Sequence, residues 1–210
     1  MFTSQQPQKL ILSRVMQNSK RTSRSRVSRS REYLTGPEIK KFLEAAKTAT
    51  RNPVRDYCMM LFTYQHGLRV SELTGLTLSD IDLTGRTLNI NRLKNSVSGR
   101  HPLFTGEARA LREWLSVREA MEPDTDALFV SEQRRPLSRA TVDLLVKTIA
   151  EAAGLGNLAV HAHMLRHSAG YSLINRGFDV RTVQVHLGHA RLENTARYTA
   201  LDHARLKNLF

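Results

Sequence analysis

From position 35 onward the apolar residues recur mainly at the three-and-four spacing of helices, and they alternate clearly only once. Thr35-Gly-Pro-Glu38 has the spacing of a capping box with proline in the first turn, and Ile39, Phe42, Leu43 and Ala46 follow on one face. A second helix is predicted from about Val54 to Gln65, with Tyr57, Leu61 and Tyr64 as its buried stripe and Cys58 as core packing. Gly67 breaks it, and Arg69 opens a third helix through Leu73 to Leu76. Between Leu78 and Leu103 the pattern turns to β: Leu83-Thr-Gly-Arg86 is a turn and Thr87–Asn91 alternates. Asn95–Gly99 is a turn-rich link, and His101–Phe104 forms the returning limb.

Helical spacing resumes over Glu107–Met121, with Ala110, Leu111, Trp114 and Leu115 inward. Leu128–Val130 reads as a short strand. Ser138 caps an amphipathic helix carrying Leu144, Leu145, Ile149 and Ala152, closed by Gly154. Helices over His163–Asn175 and Asp179–Leu187 follow, closed near Gly177 and by Gly188. A last short run over Asn194–Leu201 uses Ala196, Ala200 and Leu201 as apolar contacts. The expected fold class is mainly α with a small antiparallel β-sheet (α+β), without internal repeats.

Composition narrows the function. A chain of 210 residues, 40% hydrophobic and 24% charged, fits one globular domain and a tail rather than a disordered protein. The net charge of +13 and pI near 10.6 call for a polyanionic partner, nucleic acid ahead of an acidic membrane. Residues 1–31 hold eight Lys/Arg and no acid, which leaves +5 on the remainder. Residues 1–31 are therefore expected to be a basic, flexible arm that contacts DNA through Lys20, Arg21, Arg24, Arg26, Arg29 and Arg31, and residues 32–210 the catalytic domain. A solubilising tail or an organelle transit peptide shares that composition. The net positive charge of the remainder favours the arm. With Cys58 alone, no intrachain disulfide or cysteine-rich zinc site is available. The longest N-terminal apolar run, Leu10–Leu12, is too short for a signal peptide, and nothing reads as membrane-spanning.

The candidate chemistry lies in His161-Ala-His163-Met-Leu-Arg166-His167, His186-Leu-Gly-His189 and Tyr198, with Gly67-Leu-Arg69-Val-Ser-Glu72 far upstream. A zinc site is disfavoured because Arg166 is on the same helical face as His163, and few acids are nearby. His161, His167 and His186 read as core or capping residues. Phosphoryl chemistry uses the set better. Two arginines can hold non-bridging phosphate oxygens with forked hydrogen bonds, and histidines can move protons. A tyrosine can attack if positive charge or a base assists its phenol. Glu72, three residues after Arg69, is placed to pin that guanidinium. Lys94 stands at the hairpin lip.

In that order and at those spacings, the motifs resemble the tyrosine recombinases of the phage integrase family across roughly residues 33–210. The resemblance implies that Arg69 and Arg166 clamp the scissile phosphate and that Tyr198 attacks it to form a 3′-phosphotyrosyl link. Lys94 would be the general acid, His163 an acid/base helper, and His189 a phosphate donor. It implies no metal or other cofactor, because the phosphotyrosyl ester conserves the bond energy. Arg92-Leu-Lys94, His101-Pro-Leu103 and the short length resemble the fimbrial phase-variation branch, which inverts a promoter segment. Most members carry a helical core-binding domain ahead of the catalytic one; here the basic arm stands in its place. The implied partners are double-stranded DNA at inverted or direct repeats, a homotetramer on paired sites, and DNA-bending accessory proteins. The implied location is the bacterial cytoplasm, at the nucleoid. A non-catalytic DNA-binding regulator on the same fold, or a type IB topoisomerase, would share parts of this pattern.

Overall fold

The computed structural model describes residues 31–92 and 96–199. Among them the helices are α1 (Gly36–Ala46), α2 (Pro53–Gln65), α3 (Val70–Thr74), α4 (Thr105–Met121), α5 (Arg139–Ala152), α6 (Ala162–Asn175), α7 (Val180–Leu187) and α8 (Glu193–Ala196). The strands β1 (Ile81–Asp82), β2 (Thr87–Ile90) and β3 (Gly99–Pro102) form one antiparallel sheet in the order β1-β2-β3. The protein is thus mostly helical with a small antiparallel sheet, as the sequence predicts.

Local signals set most boundaries. The amide and hydroxyl of Thr35 both donate to Glu38 Oε2 at 2.7 Å, which fixes the start of α1. Ser138 Oγ accepts from the Thr141 amide at 3.1 Å and starts α5. Asp179 does the same for α7 through the Thr182 amide at 3.0 Å.

Helix α2 is the axis of the domain. Arg55, Asp56 and every residue from Cys58 to Thr63 are buried, whereas Tyr57 and Tyr64 are only half-buried. The single stripe expected from spacing is therefore replaced by burial nearly all round, because α1, α4 and α6 pack about the helix. Trp114, Phe42, Phe62 and Phe129 fill the space between them. Burying one such side chain contributes on the order of 1.5–3 kcal/mol. The indole Nε1 of Trp114 donates to the Leu128 carbonyl at 2.9 Å, so its one polar atom is matched.

Three expectations change. Leu128–Val130 is buried but forms no strand; Val130 makes an isolated bridge with Pro136, and Ala127, just before the segment, makes one with Thr77. On α5 the buried stripe is Val142, Val146, Ile149 and Ala150, and Leu144 is 64% exposed. Residues 142, 146, 149 and 150 share one helical face, and position 144 falls opposite. The helix after Arg69 stops at Thr74, with Gly75 as its cap, rather than reaching Leu76.

The sheet matters for what it carries. β2 pairs with β3 so that Leu88 faces His101 and Ile90 faces Gly99. Beyond β2 the chain bends back at Arg92, where the backbone amide donates to Ser98 Oγ at 2.9 Å. That turn meets the end of α7 through a bridge between Ser96 and His189. The C-terminal ends of α2 and α7 and the mouth of the hairpin thereby converge.

Candidate active site

Guanidiniums from three elements converge on one carboxylate. Glu72 of α3 is 4% exposed; its Oε1 accepts from Arg69 Nη1 at 2.5 Å and its Oε2 from Arg92 Nη1 at 2.5 Å. Arg166 Nη1 lies 3.8 Å from the same Oε2. Backbone carbonyls complete the seats. Arg92 Nη2 donates to the carbonyls of His66 at 3.3 Å and His186 at 2.8 Å. Arg166 Nη1 donates to the Gly67 carbonyl, and Nη2 to that of Leu187 at 2.6 Å. These carbonyls belong to the ends of α2 and α7, where the helix dipole concentrates negative charge.

One carboxylate against three guanidiniums leaves the cluster positive, which is the field a phosphodiester requires. Burial pushes the Glu72 carboxyl up, but Arg92, the Arg69 amide and Arg166 outweigh it and hold the group below its ordinary value. Burial, then Arg69 and Arg92, push Arg166 down to about 9, so it stays charged at neutral pH. The Arg69 side chain is 31% exposed, whereas Arg166 is 1% exposed. Arg69 is therefore the more accessible of the two, and it also donates to Ser96 Oγ at 3.1 Å.

Tyr198 follows α8 in a turn and is 3% exposed. Its hydroxyl meets His167 Nδ1 at 2.8 Å. Its ring lies over Gly170 of α6, where a Cβ would come 2.7 Å from Tyr198 Cε2 and 2.8 Å from Cζ. Only glycine leaves room for the phenol there. The His189 ring is near-parallel to that of Tyr198 at a centroid distance of 6.3 Å, and His189 Nδ1 meets Thr195 Oγ1 at 2.8 Å. Burial raises the phenol pKa, while Arg166, Arg197 and Arg69 oppose the rise. Burial, His163 and the cations of Arg197 and Arg166 lower His167 to about 3, so its ring is neutral at pH 7 and has a nitrogen that can accept a hydrogen bond from the phenol. Burial and Arg166 lower His189 to about 4.

Arg69, Arg166, His189 and Tyr198 are thus brought together, and Glu72 bonds Arg69 directly. His163 is exposed at the start of α6, its ring edge-on to His167 at 4.4 Å. Lys94 and the arm residues Lys20, Arg21, Arg24, Arg26 and Arg29 lie outside the described residues, which begin with the half-buried Arg31. Ala200 and Leu201 also lie outside them, and Ala196 is exposed, so the turn at Tyr198 is seated by Thr195 and the phenol itself. His167, read from sequence as core or capping, instead holds the hydroxyl of Tyr198. His186 does serve the scaffold, with Nε2 2.9 Å from the Gln65 carbonyl.

Arg92 joins this cluster with no sign of it in the local spacing of the sequence. Behind it His66, His101 and Glu107 form a buried relay, with His66 Nδ1 3.2 Å from His101 Nδ1 and His66 Nε2 2.9 Å from Glu107 Oε1. Among the described residues no three His, Cys, Asp or Glu side chains are arranged to hold a metal ion.

Residues 32–205 match the phage integrase family. The chain belongs to that family. It is similar to the type 1 fimbriae regulatory proteins FimB and FimE of Escherichia coli K12. FimB is 39% identical over 184 residues, 87% of this chain and 91% of FimB; FimE is 40% identical over 182 residues, 86% and 91%. The tyrosine recombinase XerC of Pseudomonas syringae pv. tomato is 39% identical over 156 residues, 74% of this chain and 51% of XerC. Among solved structures, XerA recombinase superposes with a TM-score of 0.74 at 31% identity, covering 84% of this chain and 63% of XerA. XerH bound to its difH substrate gives 0.73 at 29% identity, covering 86% of this chain and 54% of XerH. This chain thus spans less than two thirds of the length of each of these two recombinases of known structure. Among its described residues no helix is long and apolar enough to cross a membrane.

Proposed function

We propose that this integrase-family protein is a site-specific recombinase that cleaves and rejoins double-stranded DNA through a 3′-phosphotyrosyl intermediate. The observation that carries this reading is the buried Tyr198 hydroxyl on a neutral His167, 2.8 Å away, beside a cluster of three arginines. Tyr198 Oη attacks the phosphorus, its proton passes to His167, and the bond from phosphorus to the 5′-oxygen breaks. The phosphate stays on tyrosine and the 5′-hydroxyl departs with a proton from Lys94. Attack by a 5′-hydroxyl reverses the step and reseals the strand, so no nucleotide is consumed.

Arg69 and Arg166 hold the non-bridging oxygens, where charge grows during attack; one such preorganised donor is worth roughly 3–4 kcal/mol. Arg92 keeps Glu72 in place beneath them. The phosphate anion offsets the repulsion that Arg166 exerts on His167, one of the smaller causes beside burial, and so favours its protonation relative to the DNA-free protein. His189 stacks on the phenol and donates to phosphate. His163, edge-on to His167, is the second imidazole for proton movement.

The DNA substrates are inverted repeats flanking a promoter segment, and the product is its inversion, a reading supported by the extent of similarity to FimB and FimE. Four protomers act on two sites, with the basic residues of 1–31 gripping DNA beyond the catalytic domain and bending proteins assisting. The setting is the bacterial cytoplasm, where the DNA lies.

The test is incubation with nicked duplexes from the repeats flanking candidate segments, in EDTA and without ATP, followed by a denaturing gel. Wild type gives a protein–DNA band and Tyr198→Phe gives none. DNA retarded on a native gel, with no covalent band on any site, would instead assign a binding regulator.

A further inference from the structure

The chain enters the domain by touching the nucleophile's surroundings with three consecutive residues. Leu34 is 2% exposed, and its amide donates to Ser168 Oγ at 2.8 Å. Ser168 adjoins His167, the partner of the Tyr198 hydroxyl. The Tyr33 ring stacks on Tyr171 at 3.7 Å with 15° between planes, and Tyr171 meets Tyr198 edge-on at 5.8 Å. Glu32 Oε2 accepts from Arg197 Nη2 at 3.3 Å, one residue before the nucleophile. The lysines and arginines of the basic arm end immediately before Glu32.

We infer that Glu32, Tyr33 and Leu34 are positioning residues for Tyr198, a latch that ties the entry segment to the nucleophile's seat. This rests on the reading of Tyr198 as the nucleophile. The contributions are unequal. The Glu32–Arg197 pair is 67% and 52% exposed, so solvent screens it and it adds little. The aromatic column Tyr33–Tyr171–Tyr198 carries the latch, because Tyr171 meets the phenol edge-on and is itself stacked by Tyr33, through rings with few rotamers. Tyr198 lies only two residues beyond α8, a single-turn helix, and so depends on its neighbours to hold a near-attack geometry. Force on the entry segment, from DNA engaged by the preceding basic residues, is delivered through this column to the attacking hydroxyl.

The test compares wild type, Tyr33→Ala and Tyr33→Phe in the full chain by three measurements. These are the single-turnover rate of covalent complex formation on a nicked duplex, the Kd for the uncleaved duplex, and the titration of Tyr198 in DNA-free protein followed by 13C-tyrosine NMR. Tyr33→Ala is expected to slow cleavage about tenfold with Kd within about twofold, and to move the Tyr198 titration towards that of an exposed phenol. Tyr33→Phe, which keeps the stacked ring, restores both. Should Tyr33→Ala unfold, Tyr33→Leu replaces it, since it keeps bulk without a flat face. An unchanged cleavage rate and Tyr198 titration in the alanine or leucine variant overturns the latch, as does a phenylalanine variant no better than alanine. If wild type itself forms no covalent complex, the recombinase reading falls, and the NMR titration alone still decides the latch.

Discussion

Replacing His167 by phenylalanine isolates the contact on which the proposed chemistry turns. Phenylalanine keeps a flat ring in the same place on α6 but offers the Tyr198 hydroxyl no nitrogen. The hydroxyl is 3% exposed as part of its residue and bonded at 2.8 Å to His167, so the variant leaves it buried without that partner. The stability cost is roughly 1–3 kcal/mol, the desolvation penalty of one orphaned polar group. The catalytic cost is larger. Loss of a positioned general base lowers a rate by about 10²–10⁴, which corresponds to roughly 3–5 kcal/mol on the barrier. Single-turnover covalent complex formation at pH 7, with saturating nicked duplex, reads the second quantity, and urea denaturation reads the first. DNA affinity should stay within about threefold, because His167 makes none of the arginine contacts expected to hold phosphate. Cleavage within about threefold of wild type would refute the assignment of His167 as proton acceptor. If His163→Phe alone abolished cleavage, the base would be reassigned to His163.

Three further outcomes follow from the geometry. Glu72→Ala strips the shared carboxylate from two directly bonded guanidiniums, and should cost roughly 3–5 kcal/mol in urea denaturation, with Glu72→Gln losing less. Gly170→Ala drives a methyl into the phenol, 2.7 Å from Cε2, and should abolish covalent complex formation while DNA binding measured by gel retardation persists. Stability should fall with acid below about pH 6.5. His101 and His167 are held neutral down to about 3, and His186 and His189 to about 4, so the unfolded chain binds more protons throughout that window. Each contributes a slope of up to about 1.4 kcal/mol per pH unit, and Tm recorded from pH 7 to pH 4 should drop monotonically. A flat profile would contradict neutral burial of these histidines.

What the sequence discloses here is what lies within a few residues of itself. Thr35 with Glu38, Arg69 with Glu72, and Gly188 before His189 are local devices, and the elements they start or stop are found where spacing predicts. Arg69, Arg166, His189 and Tyr198 are legible because they sit in short motifs tied to helix ends. Arg92 and His167 are not, because their meaning is tertiary. Arg92 acquires its role from Glu72, twenty positions upstream, and from the His186 carbonyl, ninety-four downstream. A histidine beside Arg166 looks like core until Tyr198 arrives from thirty-one residues further on. The same limit explains α5: Leu144 looks inward on hydrophobicity, but the buried face carries Val142, Val146 and Ile149, with Leu145 at its edge. Periodicity also cannot show that α2 is enclosed by α1, α4 and α6, since a helix buried all round has no polar face to give it away.

The most direct test of the recombinase account is the site and polarity of the covalent link. Wild-type protein trapped on a nicked duplex would be digested with trypsin, and the nucleotide-bearing peptide sequenced by mass spectrometry. The two strand ends would be labelled separately. The account predicts a peptide modified at Tyr198, carrying the 3′-phosphoryl end, with a free 5′-hydroxyl on the other fragment. A modified residue other than Tyr198, or a link to the 5′-phosphate, would contradict it.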